Sequence, residues 1–316
     1  MNKKHFDIVF VADNAYAPYT AVTLQSLFKF HPQWQFDIWL LSCNFSTENT
    51  LKYEKHCFTN NAKFHLLVVS PNELDPYDNI GFWSKYTFLK LFIANKLPHT
   101  VHHVLYLDGD MLITDSLEEL FQTSLQNYSL AAVEDLAFVK TKNITQFGMD
   151  TTAISINSGV MLMNLERWRK ASNQNLYTKF INQWRNKFSL CDQDVINNVF
   201  ANQIKPLPLR YNLTHFCFGV HIKQFLTTSH LAQWKSARLH PAIIHFTNNT
   251  KPWIWENIHY YKSQYLKVAS QTPYAQYFTH YKQQKYNYNK KFIINLFRYT
   301  IVGVIDIFRL YFLKNL

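Results

Sequence analysis

The sequence predicts an α/β protein in which helices cover a mostly parallel β-sheet. The first 135 residues alternate between short apolar runs and longer amphipathic stretches, the pattern that strands and crossover helices produce. Of the 316 residues, 47% are hydrophobic and 17% aromatic, which supplies a buried core and excludes a disordered chain. Ligands bind such sheets beyond the carboxyl ends of the strands, so we expect the functional residues directly after the strands.

The strands are predicted from the short apolar runs, and the helices from the amphipathic stretches between them. The predicted strands are Asp7–Ala12, Phe36–Leu41, Lys63–Val69, His103–Leu107, Gly159–Met163 and Ala242–Phe246. The predicted helices are Ala21–Phe30, Ser46–Phe58 with Ser46 as N-cap, Tyr86–Lys96, and Asp194 to about Asn202. A change of composition near residue 265 divides the chain into a folded domain (1–265) and a C-terminal tail (266–316).

Two features of composition exclude common classes of site. Only six glycines occur and no two are close, which excludes the GxGxxG dinucleotide fingerprint and the GxxxxGK phosphate loop. A nucleotide bound here would need another way to hold its phosphates, such as a metal ion. The four cysteines form no CxxC pair, which argues against a disulfide framework or a cysteine zinc site and suits a reducing cytosol. The amino terminus has no secretion-signal pattern, so we expect a cytoplasmic protein.

The sharpest local feature is a pair of carboxylates at the end of the predicted strand His103–Leu107. Asp108 and Asp110 are two residues apart, and the period-two geometry of a strand directs both to the same side. Gly109 between them is expected to leave space for a ligand near the backbone. Carboxylates facing one way repel each other unless a cation lies between them, and oxygen ligands favour Mn²⁺ or Mg²⁺. The alternative is a solvated strand end with two capping acids.

Three further polar motifs follow or precede apolar elements. His245 lies at the end of a predicted strand and is a candidate metal ligand, whose nitrogen favours Mn²⁺. Lys251, six residues later, is a candidate contact for a diphosphate. The motifs Asn157–Gly159 and Cys191–Asp194 place short polar side chains at the start of a strand and of a helix, suited to sugar hydroxyls. The alternatives are a hydrogen-bonded structural histidine and ordinary capping, with Asp192 as an N-cap.

In this order, the motifs resemble glycosyltransferase family 8, in particular the bacterial lipopolysaccharide galactosyl- and glucosyltransferases. The resemblance covers roughly residues 5 to 255. It rests on Asp7–Asp13 with Tyr16, Tyr106–Asp110, Asn157–Val160, Asp192–Asp194, and His245 followed by Lys251–Trp253.

The resemblance implies a GT-A fold, a UDP-sugar donor, Mn²⁺ with Mg²⁺ as the alternative ion, and transfer with retention of anomeric configuration. It implies that Asp13 hydrogen-bonds the uracil, that Tyr16 stacks on it, and that Lys251 contacts the diphosphate. It also implies metal binding by Asp108, Asp110 and His245, and nucleotide-sugar contacts by Lys90 and Ser158. The residues implied around the donor sugar are Asp135, Asn157, Asp192 and Gln193, and the candidate catalytic residues are Asp135, Asp192, Gln193 and Lys251.

The sequence departs from the family pattern at three positions. Ala15 stands where the family usually has asparagine, which removes one nucleotide contact. Lys90 stands for an arginine, which keeps the charge and loses the bidentate fork. Asn248 replaces a glycine, which is expected to change how closely the backbone approaches a phosphate.

The net charge of +11 is concentrated in the tail, where the stretch from Lys282 to the end holds seven basic residues and one acid. Sixteen of the twenty-two residues in Phe292–Leu313 are apolar or tyrosine, so an amphipathic helix at an anionic membrane surface is a better interpretation than nucleic-acid binding. The alternative is a helix packed on the folded domain or on a partner subunit.

The sequence thus predicts a retaining hexosyltransferase that moves galactose or glucose from a UDP-sugar to a glycan or glycolipid acceptor. We expect it to act in lipopolysaccharide, lipooligosaccharide or other cell-surface glycan synthesis, at the inner face of the cytoplasmic membrane. One alternative is a catalytically impaired, basic peripheral membrane-binding protein on the same fold. Another is a sugar-phosphate nucleotidyltransferase, which usually has a glycine-rich nucleotide loop that the stretch Asp13–Tyr19 lacks.

Overall fold

The computed structural model describes residues 4–78, 80, 84–137, 147–148, 153–188, 190–219, 222–224, 226–254, 257 and 259–279. The strands are β1 (His5–Val11), β2 (Gln35–Ser42), β3 (Ala62–Val68), β4 (His103–Leu107), β5 (Met111–Ile113), β6 (Leu130–Glu134), β7 (Ile156–Asn164), β8 (Ile204–Pro206), β9 (Leu213–Thr214) and β10 (Ile243–His245). The α-helices are α1 (Ala17–Phe30), α2 (Thr47–Thr59), α3 (Ile93–Lys96), α4 (Glu118–Phe121), α5 (Leu165–Asn173), α6 (Leu176–Trp184), α7 (Asp192–Val199), α8 (Thr228–Leu239), α9 (Lys262–Ala269) and α10 (Ala275–Thr279). Short 3₁₀ helices lie at Pro71–Tyr77, Lys85–Phe92, Arg185–Lys187, Leu209–Tyr211, His215–Phe218 and Ile222–Gln224.

The central sheet has seven strands in the order β3-β2-β1-β4-β7-β6-β8. The first four are parallel, β7 runs antiparallel to both of its neighbours, and β8 is parallel to β6. The prediction of a mostly parallel sheet is therefore confirmed. Both faces are covered, because Ile8 and Phe10 of β1 belong to one buried cluster and Val9, between them, to the other.

A second, three-stranded sheet in the order β5-β10-β9 was not expected from the sequence. Its strands have only two or three residues, too few for the alternation of side chains to be recognisable. Strand β10 pairs antiparallel with β5, so that His245 lies opposite Met111. This small sheet is what brings the end of β10 beside the carboxylates that follow β4.

The predicted elements agree with the structure except near the cavity described below. Ser46 is the N-cap of α2, and its hydroxyl accepts a hydrogen bond from the Asn49 amide. The predicted helix Tyr86–Lys96 is instead a 3₁₀ helix (Lys85–Phe92) that continues into the single α-helical turn of α3. Helix α7 begins two residues before the predicted start, because Cys191 adopts a left-handed φ of 49° and serves as its N-cap.

Two helices lie across and beyond residue 265 and pack on the rest of the molecule. Tyr265 of α9 and Phe278 of α10 belong to the same buried cluster as Ile8. The division into a domain (1–265) and a tail stays a prediction, and the described chain packs on the domain as far as Thr279. The predicted membrane helix Phe292–Leu313 lies outside the described residues. Among the residues described, no helix has both the length and the apolar character needed to cross a bilayer.

Candidate active site

A single cavity of about 510 Å³ brings together all twelve residues predicted to form the site. It opens at the carboxyl ends of β1, β4, β6 and β10. The antiparallel strand β7 lines it with residues from its amino-terminal end. The predicted residues that line it are Asp13, Tyr16, Lys90, Asp108, Asp110, Asp135, Asn157, Ser158, Asp192, Gln193, His245 and Lys251. Side chains that are far apart in the sequence therefore meet where the sheet topology places a ligand.

Asp108 and Asp110 lie in the connection between β4 and β5, and backbone hydrogen bonds hold both in place. The Asp108 amide donates to the Gly159 carbonyl (2.9 Å), and the Asp110 carbonyl accepts from the Phe246 amide (3.0 Å). Asp110 is buried, so the alternative of a solvated strand end is wrong for this residue. A Cβ atom at Gly109 would lie 2.2 Å from Thr20 Oγ1, so the glycine makes room for α1. Gly109 also lines the cavity, and the expected approach of a ligand to its backbone stays a prediction.

Asp108, Asp110 and His245 form a group able to hold a metal ion, with one ligand atom of each within 4.8 Å of the others. His245 Nε2 lies 3.2 Å from Asp110 Oδ1 and 3.5 Å from Asp108 Oδ2. Two carboxylate oxygens and one imidazole nitrogen suit Mn²⁺ and allow Mg²⁺. The donor set therefore fits the divalent ion that the sequence predicts.

The tautomer of His245 follows from a chain of hydrogen bonds that begins at a backbone amide. The Gly159 N–H donates to Asn157 Oδ1 (3.1 Å), which identifies that atom as the oxygen. Asn212 Nδ2 then donates to the same oxygen (2.8 Å), so Asn212 Oδ1 is the atom that faces His245 Nδ1 at 2.9 Å. Nδ1 must carry a proton, which leaves Nε2, the nitrogen that faces the two carboxylates, as the one available to ligate a metal ion.

Asn212 is a site residue that sequence analysis missed. It is 1% exposed and directly precedes β9, which pairs with β10 in the small sheet. It belongs to none of the five motifs, and its function depends on a strand of two residues. No local signal in the sequence identifies it.

Lys90 compensates the negative charges of two carboxylates inside the cavity. Its Nζ lies 3.2 Å from Asp108 Oδ1 and 2.9 Å from Asp192 Oδ2, and it donates to Ser158 Oγ at 3.2 Å. Burial disfavours the charged amine, but the two carboxylates outweigh burial and raise the pKa of Lys90 above its ordinary value. These contacts give a physical reason for the 3₁₀ turn, which directs Lys90 into the cavity.

Lys251 lies on the other side of the metal group and donates to Asp110 Oδ2 and to the Phe246 carbonyl (2.8 Å). Burial alone would raise the pKa of Asp110, but the charges of Lys251 and His245 outweigh it and lower that pKa. Asp110 is therefore held as an anion at neutral pH. The single amine of Lys251 lies within reach of any anion placed beside Asp110.

The side of the cavity predicted to hold the sugar is a connected polar network. Asp135 Oδ2 accepts from Asn157 Nδ2 and Gln193 Nε2, each at 3.3 Å, and Gln193 Oε1 accepts from the Ser158 amide at 3.2 Å. Burial raises the pKa of Asp135 despite these hydrogen bonds. Asp192 is not an N-cap: its carboxylate accepts from Ser158 Oγ at 2.9 Å and pairs with Lys90.

The side of the cavity predicted to hold the nucleobase is formed by the connection between β1 and α1. Asp13 Oδ1 accepts from the Tyr16 amide at 2.8 Å, which ties the predicted uracil contact to the start of α1. The Tyr16 ring is half-buried, and burial together with Asp110 and Asp108 raises the pKa of its phenol, so the ring stays neutral.

Comparison with known proteins identifies the family of this chain. Residues 7–257 match the sequence model of Glycosyl transferase family 8. The chain belongs to glycosyltransferase family 8. It is 28% identical to a putative glycosyltransferase of Haemophilus influenzae over 216 residues, which cover 66% of this chain and 63% of that protein. It is 23% identical to the lipopolysaccharide 1,2-glucosyltransferase of Escherichia coli over 261 residues, which cover 81% of this chain and 76% of that protein.

Solved structures similar to this family 8 member share its fold. The galactosyltransferase LgtC in complex with donor and acceptor sugar analogues superposes with a TM-score of 0.77 at 23% identity, covering 85% of this chain and 96% of that one. The bifunctional glycosyltransferase WbbM superposes with a TM-score of 0.73 at 20% identity, covering 89% of this chain and 52% of that one. The predicted GT-A fold is confirmed.

The departures from the family 8 pattern have local explanations. Asn248 lines the cavity with a left-handed φ of 57°, a conformation that asparagine adopts more readily than most residues other than glycine. A glycine would adopt the same φ without strain. Ala15 is exposed, and its neighbour Asn14 accepts hydrogen bonds from the Ser46 amide (2.7 Å) and from Asn49 Nδ2 (3.0 Å).

Proposed function

We propose that this family 8 glycosyltransferase moves a hexose, galactose or glucose, from a UDP-sugar to a saccharide acceptor with retention of anomeric configuration. The observation that carries the proposal is the meeting of Asp108, Asp110 and His245 with Lys251 in one cavity. A divalent ion in that group, Mn²⁺ or Mg²⁺, would neutralise charge on the diphosphate as the sugar leaves. The proposal assigns the nucleobase to the side of the cavity lined by Asp13 and Tyr16, and the sugar to the side lined by Asp135, Asn157 and Gln193.

Lys251 is proposed to stabilise the leaving diphosphate. Negative charge grows on the phosphate oxygens as the bond to the anomeric carbon breaks, and a fixed cation there stabilises the transition state more than the ground state. Its amine already lies next to Asp110 at the edge of the metal group. On the opposite side, Lys90 holds Asp108 and Asp192 in position.

The residues around the proposed sugar site favour a front-face reaction. In this step the bond from the anomeric carbon to the diphosphate oxygen breaks, a bond to the acceptor oxygen forms on the same face, and the acceptor proton passes to the departing phosphate. Asp192 is committed to Lys90 and Ser158, and Gln193 is a weak nucleophile. Asp135 is the remaining carboxylate, and its hydrogen bonds to Asn157 and Gln193 suit it to orienting sugar hydroxyls. The covalent alternative would use Asp135 as the nucleophile.

The acceptor is proposed to be a glycan or glycolipid of the cell surface, such as a lipopolysaccharide or lipooligosaccharide. The name of the Escherichia coli relative, a lipopolysaccharide 1,2-glucosyltransferase, supports this class. We further propose that the protein works in the cytoplasm at the inner face of the membrane. There the basic tail, which follows the described residues, would contact anionic lipid, and nucleic acid is not a partner.

The decisive experiment is a donor screen with the purified full-length protein. UDP-glucose, UDP-galactose and related donors are incubated with Mn²⁺, and release of UDP is measured with and without saccharide acceptors. We expect turnover of one hexose donor that chelation abolishes. Asp110→Ala should abolish it while the fold is kept, because the metal group loses one of its two carboxylates.

Asp75→Ala provides the matched control, since Asp75 is an exposed aspartate outside the cavity. Full activity of purified Asp110→Ala would refute the metal site. Absence of any Mn²⁺-dependent stabilisation by UDP in a thermal shift assay would refute the donor class and favour the membrane-binding alternative.

A further inference from the structure

The connection between β1 and α1 is supported from outside the cavity by a cluster of aromatic rings. Tyr19 stacks on Trp253 with ring centroids 3.7 Å apart and planes 12° apart. The edge-to-face contacts of Tyr16 reach both, at 5.4 and 6.1 Å. From α10, Tyr277 and Phe278 contact Tyr19 at 5.9 and 6.1 Å, and the hydroxyls of Tyr277 and Tyr19 are 2.9 Å apart. The rings form a continuous path from α10 to Tyr16.

A second path, made of hydrogen bonds, reaches the same connection from the residue before α10. Tyr274 Oη donates to Asn49 Oδ1 at 2.7 Å, and Asn49 Nδ2 donates to Asn14 Oδ1 at 3.0 Å. The ammonium of Lys52 lies 5.0 Å over the Tyr274 ring, which further fixes that ring on α2. Asn14 lies between the two predicted nucleobase contacts, Asp13 and Tyr16.

We propose that residues Tyr274–Thr279, here called the C-terminal brace, position the nucleobase site by holding residues Asp13–Tyr16 through these two paths. The proposal rests on the proposed function, because it takes Tyr16 as the ring that stacks on the base. The brace does not line the described cavity, so its residues act through Tyr16 and Asn14 and are positioning residues.

The ring of Trp253 also links the brace to the phosphate end of the donor site. Trp253 is two residues after Lys251, whose Nζ lies 5.8 Å over the indole ring. Trp253 packs in turn on Tyr265 of α9 at 5.7 Å. The brace reaches Tyr16 through Tyr19 and Asn14 through Asn49, whereas it reaches Lys251 through two rings in succession, Tyr19 and Trp253. Loosening it should therefore weaken binding of the nucleoside more than binding of the diphosphate.

The test uses full-length Tyr274→Phe, Tyr277→Phe and the double variant, which remove one hydroxyl from each path and keep every ring. Affinities for UDP and for inorganic diphosphate are measured by calorimetry with Mn²⁺. We expect the double variant to bind UDP about threefold to tenfold more weakly, the fold-change typical of one hydrogen bond or one aromatic contact. Its affinity for diphosphate should be unchanged. Tyr260→Phe is the matched control, since Tyr260 is 53% exposed against 45% for Tyr277 and is outside the brace.

Tyr16→Ala, measured in parallel, separates the two proposals. If Tyr16→Ala weakens UDP binding relative to diphosphate while the double variant behaves like Tyr260→Phe, the positioning role is refuted and the proposed function stands. If Tyr16→Ala leaves the ratio of the two affinities unchanged, the assumed base contact is wrong and the brace proposal is refuted with it. Combining Tyr16→Ala with Tyr277→Phe should cost less than the product of the single effects, because both act on one contact. Full additivity would contradict the aromatic path.

Discussion

Replacing Asn212 with alanine removes the acceptor that fixes the tautomer of His245. In the structure, Asn212 Oδ1 accepts from His245 Nδ1 at 2.9 Å, and Asn212 Nδ2 donates to Asn157 Oδ1 at 2.8 Å. Without this partner, the imidazole is free to carry its proton on Nε2, the nitrogen that faces Asp108 and Asp110. A protonated Nε2 cannot ligate a metal ion.

The expected magnitude follows from two separate losses. Partners that orient a metal-ligating histidine typically contribute 10-fold to 100-fold in metal affinity, so Asn212→Ala should weaken Mn²⁺ binding by about that factor, or roughly 1.4–2.7 kcal/mol. The site is buried, with Asn212 1% exposed, so the change also leaves Nδ1 of His245 without its hydrogen-bond partner, whichever nitrogen carries the proton. That should lower the free energy of unfolding by about 1–3 kcal/mol. Asn157 Oδ1 is affected less, because it still accepts from the Gly159 amide.

The two losses are measured separately. Mn²⁺ affinity is taken from the metal dependence of UDP binding, and stability from urea unfolding in the presence of a chelator. Asn212→Asp is the informative control, since it keeps an acceptor for Nδ1 while it removes the donor to Asn157. We expect it to retain most of the metal affinity. If Asn212→Ala binds Mn²⁺ as well as the wild type does, the tautomer argument is wrong.

Three other outcomes are expected. Gly159→Ala should abolish metal-dependent activity, because its Cβ would lie 2.4 Å from His245 Cε1 and 2.8 Å from Asp108 Oδ2; wild-type turnover would contradict this packing. Lys251→Ala should lower kcat by about 100-fold to 1,000-fold, the loss of one fixed charge at the leaving group, with a smaller effect on donor affinity; a change confined to KM in steady-state assays would assign it a different role. Truncation before Lys290 should leave donor hydrolysis intact and reduce co-sedimentation with anionic vesicles, with only part of the binding sensitive to salt. Equal binding by both forms would place the membrane contact elsewhere, and loss of folding would favour a tail packed on the domain.

The sequence was informative for five strands of the central sheet, although it missed β6 (Leu130–Glu134), which is as long as β4. Strand β4 has the predicted bounds, and the acidic pair that follows it lies in the cavity as expected. His245 was found because it follows a run of apolar residues, even though only two of them, Ile243 and Ile244, form β10 together with His245. Local chemistry at the end of a strand was therefore enough to find candidate residues, although nothing in the sequence showed how they meet.

What the sequence could not provide depends on contacts between distant segments. The 3₁₀ turn at Lys85–Phe92 has the composition of an ordinary helix, and the contacts of Lys90 with Asp108 and Asp192 become visible only in three dimensions. The packing of Gly109 against Thr20 of α1 was missed for the same reason. In each case tertiary packing decided what local propensity left open.

The two lysines of the cavity explain how two carboxylates can lie close together there. Asp108 and Asp110 would repel each other in a site of low polarity, and burial by itself would raise the pKa of Asp110. Lys90 compensates Asp108 from one side and Lys251 compensates Asp110 from the other. Because the pKa of Asp110 is lowered, a cation that binds there does not first have to displace a proton. A cation that took over the charge of Asp110 would also free the amine of Lys251 for a nearby diphosphate. In the proposed function, the same lysine therefore has two successive roles, as the partner of Asp110 before donor binding and as a contact for the leaving group afterwards.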